Sequence, residues 1–155
     1  MIHQDYMQLA LENAKKAALV DEVPVGCIIV YNDKIIASTQ NNKKSMNCSL
    51  GHAEIEAIKI ACDYLGTWIL DECTMYVTLE PCPMCAGAIV QSRVKTLVFG
   101  ALEPKSGYVM SLHNTLSDSR LNHQVEVING VLEQECSEIL KKFFKKLRNK
   151  RKNKK

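Results

Sequence analysis

No apolar run in this sequence approaches the ~18 residues needed to cross a bilayer, so a helical membrane anchor is not expected. The opening residues, Met1-Ile2-His3-Gln4-Asp5, lack the basic start and apolar stretch of a secretory signal. A cytoplasmic protein is therefore the expectation. Without a secretory route, seven cysteines in 155 residues read as reduced thiols or metal ligands and not as a disulfide framework. Internal repeats are absent, and so is any Pro/Gly/Ser-rich linker. Residues 141–155 contain no acid at all.

What is present reads as one globular domain. Hydrophobic residues make up 46% and charged residues 24%, which argues against wholesale disorder. The net charge of +3 conceals an asymmetry: residues 141–155 hold ten of the twenty Lys and Arg, so that segment is +10. The remainder then sets ten basic residues against seventeen acidic ones, for −7. We divide the chain into a body, residues 1–148, and a basic tail, residues 149–155.

Apolar spacing predicts helices over 3–20 and 52–65, the second closed by Gly66, and strands over 25–31, 34–38, 75–79, 95–100 and 125–128. Asn32-Asp33 supplies the turn of a hairpin. A further helix spans 82–92 behind Pro81 and Pro83. Leu132, Cys136, Ile139, Leu140, Phe143, Phe144 and Leu147 trace one apolar stripe on a terminal helix. This order, with a loop after the fourth strand through about residue 120, predicts a three-layer α/β/α sandwich around one mixed sheet, with two right-handed parallel strand–helix–strand passages from residue 75 onward. Cys27, Cys62, Cys73 and Cys136 fall in apolar or helical stretches and read as small buried hydrophobes.

Two short elements carry chemistry. Gly51-His52-Ala53-Glu54 stands where a loop becomes a helix, and Glu80-Pro81-Cys82-Pro83-Met84-Cys85 where a strand becomes one. Cys-x-x-Cys at a helix start puts both sulfurs on one side of the first turn, where the helix dipole favours thiolate, the metal-binding form. An imidazole from the second helix start makes three tetrahedral-type ligands, the number typical of a catalytic zinc site. Glu54 reaches the metal's neighbourhood only if the helix N-terminus faces it. There it is placed to carry protons between water and a substrate nitrogen. A redox dithiol and a closed, inert Cys48-His52-Cys82-Cys85 site are the alternatives, and the second leaves Glu54 without a purpose. His-x-Glu followed by Pro-Cys-x-x-Cys is the signature of zinc-dependent nucleobase deaminases.

These motifs resemble those of the bacterial tRNA-specific adenosine deaminases of the cytidine deaminase superfamily. The resemblance covers nearly the whole chain: Val23-Pro-Val-Gly26, Asn41, His52-Ala-Glu54, Tyr76 through Ala88, Val98-Phe-Gly-Ala101, Asn122-His123, Gly130-Val-Leu132 and Phe143-Phe144. It implies a five-stranded mixed sheet of the cytidine deaminase type, a homodimer, and one Zn2+ per subunit. The implied reaction is hydrolytic deamination of adenosine to inosine at the wobble position of a tRNA anticodon stem-loop. His52, Cys82 and Cys85 would hold zinc, and Glu54 would move protons as C6 of adenine is attacked. Asn41 would bond the target nucleotide, Ala53 and Pro81 would line the pocket, and Glu103 and Lys105 would meet RNA from a loop. The chain departs from the family pattern at Cys48-Ser-Leu-Gly51, at Glu103 where an Asp is usual, and at Tyr108-Val-Met110. The rival functions are a deaminase of a free nucleobase or nucleoside (cytosine, guanine or cytidine) and a non-catalytic zinc-stapled RNA-binding protein. Phe143 and Phe144 read as core in preference to a base-stacking platform.

Overall fold

The computed structural model describes residues 1–153. Lys154 and Lys155, two of the ten cations of the basic segment, lie outside the described residues. The expected hairpin forms from β1 (Gly26–Tyr31) and β2 (Lys34–Gln40). Its turn residues Asn32 and Asp33 both have positive φ, 51° and 59°, as a two-residue hairpin turn that matches strand twist requires. β1 also pairs antiparallel with β3 (Thr74–Leu79), which runs parallel to β4 (Thr96–Ala101), which runs parallel to β5 (Glu126–Ile128). The result is one five-stranded mixed sheet in the order β2-β1-β3-β4-β5.

Both sheet faces are covered, which is why β1, β3 and β4 are near-continuous apolar runs. Side chains alternate between two cores. Cys27, Ile29, Met75, Val77, Leu97 and Phe99 pack against α2 (Ala53–Leu65) and α3 (Pro83–Gln91). Ile28, Val30, Tyr76 and Val98 pack against α1 (His3–Leu19) and the first turns of α4 (Glu133–Asn153). These are the three layers expected. Gly66 ends α2 in the left-handed conformation, φ 67°. Cys27, Cys73 and Cys136 are buried and Cys62 is half-buried.

Two expectations are corrected. The β4–β5 passage is parallel and is the loop expected to about residue 120, not a strand–helix–strand crossover: it holds only one 3-10 turn, Thr115–Ser117. Several backbone N–H groups at its start serve a carboxylate, Glu80, instead of a helical ladder. The apolar stripe of α4 does not bury both phenylalanines: Phe143 is half-buried, whereas Phe144 is 40% exposed and meets Phe143 edge to face at 5.4 Å. α4 itself passes residues 148–149 without a break.

Candidate active site

Two helix starts on the same face of the sheet bring the chemistry-bearing side chains together. His52 is the N-cap of α2 and Cys82 the N-cap of α3, each in extended conformation (φ −89°, ψ 143° and φ −74°, ψ 176°). Neither side chain caps its own helix, which leaves both free to turn toward each other. Pro83 opens α3, where its missing N–H costs nothing and its fixed φ suits the first turn. Cys85 follows one turn later, fully buried.

The α2 start is held in place from beneath. Asn41 Oδ1 accepts the Ala53 N–H at 2.9 Å, and the Thr39 hydroxyl donates to Ala53 O at 2.7 Å. Helix packing of Ala53 and Ala57 against Ala86 and Ile89, all without exposed surface, brings the two starts together. His52 Nδ1 then lies 3.6 Å from Cys82 Sγ and 3.5 Å from Cys85 Sγ, and the three ligand atoms fall within 4.8 Å of one another.

That spacing can be tested against metal geometry. Zinc–sulfur and zinc–nitrogen bonds of about 2.3 and 2.0–2.1 Å at a tetrahedral angle require an N···S edge of roughly 3.6 Å. The two observed edges meet it, and the donor set of two sulfurs and one imidazole suits zinc. The residues therefore fit the ion. Among the described residues no other group of His, Cys, Asp and Glu converges in this way, and Cys48 is exposed and outside the cluster. The closed four-ligand alternative does not form.

The electrostatics suit a cation as well. A hydrogen bond from the Cys85 thiol, helped by His52, holds Cys82 down at about 4 despite its burial. Cys85 is pushed far upward by the same hydrogen bond, by burial and by the Glu54 charge. The pair thus shares one proton, which a metal ion would displace. His52 is raised, first by its hydrogen bond to Cys82. Glu54, only 4% exposed, is pushed up to about 7 by burial, with the Cys82 charge adding to the effect. A carboxyl that titrates near neutrality beside a metal-type cluster is equipped to exchange protons.

The other expected residues are placed as follows. Ala53 is buried, and its N–H is engaged by Asn41 Oδ1. Pro81 is buried, and its carbonyl accepts the Tyr108 N–H at 2.9 Å. Glu103 is half-buried and accepts the Lys105 N–H at 3.1 Å, while Lys105 itself is exposed. Phe144, Lys141 and Arg148 of α4 share a groove with Glu103 and Leu102, so the terminal helix adjoins the 103–111 segment.

Two buried carboxylates were not singled out from the sequence. Glu22, 2% exposed, accepts the N–H groups of Lys44 and Ser45 at 3.0 and 2.7 Å and the Ser45 hydroxyl at 2.9 Å. Glu80, also 2% exposed, receives the N–H groups of Glu103, Val109, Met110 and Ser111. Burial alone would raise the Glu80 carboxyl, but the Ser111 hydroxyl and the backbone donors outweigh it and hold it below its ordinary value. Glu80 stands in the Pro-Cys-x-x-Cys element and Glu22 in no motif, but no local pattern reveals what either carboxylate binds, because their partners are mostly main-chain groups that every residue carries.

Comparison with known proteins agrees with this geometry. A family model for MafB19-like deaminases matches residues 1–148. The tRNA-specific adenosine deaminase of Bacillus subtilis (strain 168) is 52% identical over 95% of this chain and 91% of its own. A solved structure from a study of A-to-I editing by tRNA:A34 deaminases at the wobble position of transfer RNA superposes with a TM-score of 0.86 at 40% identity. It covers 89% of this chain and all of its own. A guanine deaminase from Nitrosomonas europaea shares the fold, with a TM-score of 0.79 at 24% identity over 92% of this chain and 84% of its own. With its cluster assembled and its relatives aligned end to end, the chain belongs to the MafB19-like deaminases and, among them, to the tRNA-specific adenosine deaminases.

Proposed function

We propose that the protein is a zinc-dependent hydrolase that converts adenosine to inosine at the wobble position of a tRNA anticodon, acting in the cytoplasm. The observation that carries this reading is the convergence of His52, Cys82 and Cys85 beside the buried Glu54. His52, Cys82 and Cys85 would hold zinc, and the ion would supply the Lewis acidity that makes water nucleophilic near neutral pH. The remaining steps belong to the chain. Glu54, poised at about 7, takes a proton from the attacking water and delivers it to N1 of adenine as the C6–O bond forms. It then takes the proton of the new C6 hydroxyl and passes it to the amino group as the C6–N bond breaks, so that adenosine and water become inosine and ammonia. Asn41 Nδ2 donates to the nucleotide while its oxygen stays on Ala53.

The choice of RNA over a free base is supported by the surface around the site. Phe144 is exposed beside Lys141, Arg148 and Glu103, which offers an aromatic face and two cations next to the pocket loop. An anticodon loop is single-stranded, so its base swings out at modest cost. We also propose a homodimer with one Zn2+ per subunit. Ile60 and Tyr64 in the second half of α2 and Trp68 just beyond it are all exposed and support a contact there.

The test is direct. Purified protein is incubated with an anticodon stem-loop bearing a wobble adenosine and, separately, with free bases and nucleosides, and inosine and ammonia are measured. Inosine in the RNA alone is expected. Ammonia from a free base or nucleoside alone would replace this reading by the small-molecule one. Glu54→Ala should retain its zinc and lose turnover by about 100-fold or more; zinc-loaded Glu54→Ala with wild-type turnover would remove Glu54 from the mechanism.

A further inference from the structure

The segment that follows β4 has no helix and no strand until residue 115, and yet it is not loosely attached. One oxygen of Glu80, Oε2, accepts the consecutive N–H groups of Val109, Met110 and Ser111 at 3.0, 2.8 and 2.9 Å. The other, Oε1, accepts the Glu103 N–H at 3.0 Å and the Ser111 hydroxyl. Successive main-chain N–H groups aimed at one oxygen form an anion nest, here closed around the protein's own carboxylate. The fit leaves no slack: a Cβ added at Gly107 would overlap the Glu80 carboxyl group. Two further bonds sew the edges, from Glu80 N–H to Ala101 O at 2.8 Å and from Tyr108 N–H to Pro81 O at 2.9 Å.

The carboxylate therefore joins the Cys82 turn on one side to the 103–111 segment on the other. It sits two residues before a proposed metal ligand, but its side chain points to the segment where Glu103, Lys105 and the Tyr108-Val-Met110 departure lie. We infer that Glu80 is a positioning residue for RNA: it sets where Glu103 and the 108–110 turn stand relative to the target nucleotide and governs RNA affinity without touching the substrate. The inference rests on the RNA reading given under the proposed function. It assigns the two ends of Glu80's neighbourhood different tasks, the Cys82 side to chemistry and the 103–111 side to binding.

Glu80→Gln tests this with little change of volume. If its single oxygen faces the three consecutive N–H groups, its NH2 opposes the Glu103 N–H, and that tie is broken. Hydrogen exchange should show faster exchange at Glu103 and across Val109–Ser111 in Glu80→Gln. KM for the anticodon stem-loop should rise by roughly tenfold while kcat stays within about threefold and one zinc per chain is retained. Glu103→Ala should raise KM alone, and should add less than about twofold in the Glu80→Gln background, because its side chain is already displaced there. Ser111→Ala, a gentler cut of the same nest, should raise KM by about threefold and serves as the deciding variant if Glu80→Gln does not fold. Unchanged exchange and KM, a fall in kcat and zinc content at constant KM, or full multiplicativity with Glu103→Ala would each overturn the inference, as would an unchanged KM in Ser111→Ala. Wild-type protein that makes no inosine in RNA overturns the functional reading and the effect on RNA affinity with it; the exchange data still decide whether Glu80 holds the segment.

Discussion

At Asn41 one carboxamide serves two ends. Its oxygen takes the Ala53 N–H, one of the orphan donors at the start of α2, and its nitrogen is the group proposed to meet the nucleotide. The two roles separate by substitution. Asn41→Asp keeps an acceptor for Ala53 and removes the donor, so thermal unfolding should stay near wild type while turnover on RNA falls by about tenfold or more. Asn41→Ala removes both, and loss of the cap should cost about 1 kcal/mol, near 3 °C in Tm for a chain of this size. Glu22 is a second case at this scale. Its carboxyl is held below its ordinary 4.5 because, although burial opposes ionisation, the Lys44 and Ser45 donors favour the charged form more. The stability it contributes is therefore complete above about pH 4.5 and is lost as pH falls through its lower folded value. Urea unfolding of Glu22→Gln should show a loss of about 2 kcal/mol near neutral pH that shrinks as the pH falls below about 4. A loss that does not vary with pH would mean that shape and not charge holds the 42–51 loop.

At the scale of elements, α2 and α3 share an apolar core rich in small residues, and the three ligand atoms converge at their N-termini. A metal ion bound there would tie together two helices already packed in one apolar core. Chelation should accordingly lower Tm by several degrees through loss of binding free energy while the far-ultraviolet circular dichroism at 25 °C stays native. A metal-free protein that unfolds outright would show that the helix starts depend on the ion for their placement. These starts are legible in the sequence, since His-x-Glu and Pro-Cys-x-x-Cys are local patterns and the strands before them are apolar runs. The β4–β5 connection is hidden for the opposite reason. Its structure comes from main-chain donors turned onto Glu80, a partner more than twenty residues away, and no side-chain periodicity records that. Phe144 lies on the apolar stripe by spacing and yet is exposed, because it borders an open groove beside Leu79, Leu102 and Glu103 that no other element fills among the described residues.

Across the whole molecule, charge is divided between residues 1–140 at −7 and residues 141–155 at +10, and α4 carries most of that terminus as a continuous helix. Along the described part of this helix few cations find an acid: Lys150 stands 3.5 Å from Asp21 in an exposed pair worth little. The rest remain available to phosphates, and the helix departs from beside Glu103, so an RNA held in the pocket would extend along it. Removing residues 148–155 takes away six cations without disturbing the two cores, which end before Leu147. RNA affinity of this truncated protein should fall, and the slope of log K against log salt should flatten by about 0.7 to 0.9 for each phosphate that is no longer neutralised. Filter binding at three salt concentrations spanning roughly 50 to 200 mM, with zinc content and circular dichroism as controls, measures both. An unchanged slope with unchanged affinity would mean that these cations are solvated and that phosphate recognition rests on the pocket side of α4, on Lys141 and its neighbours.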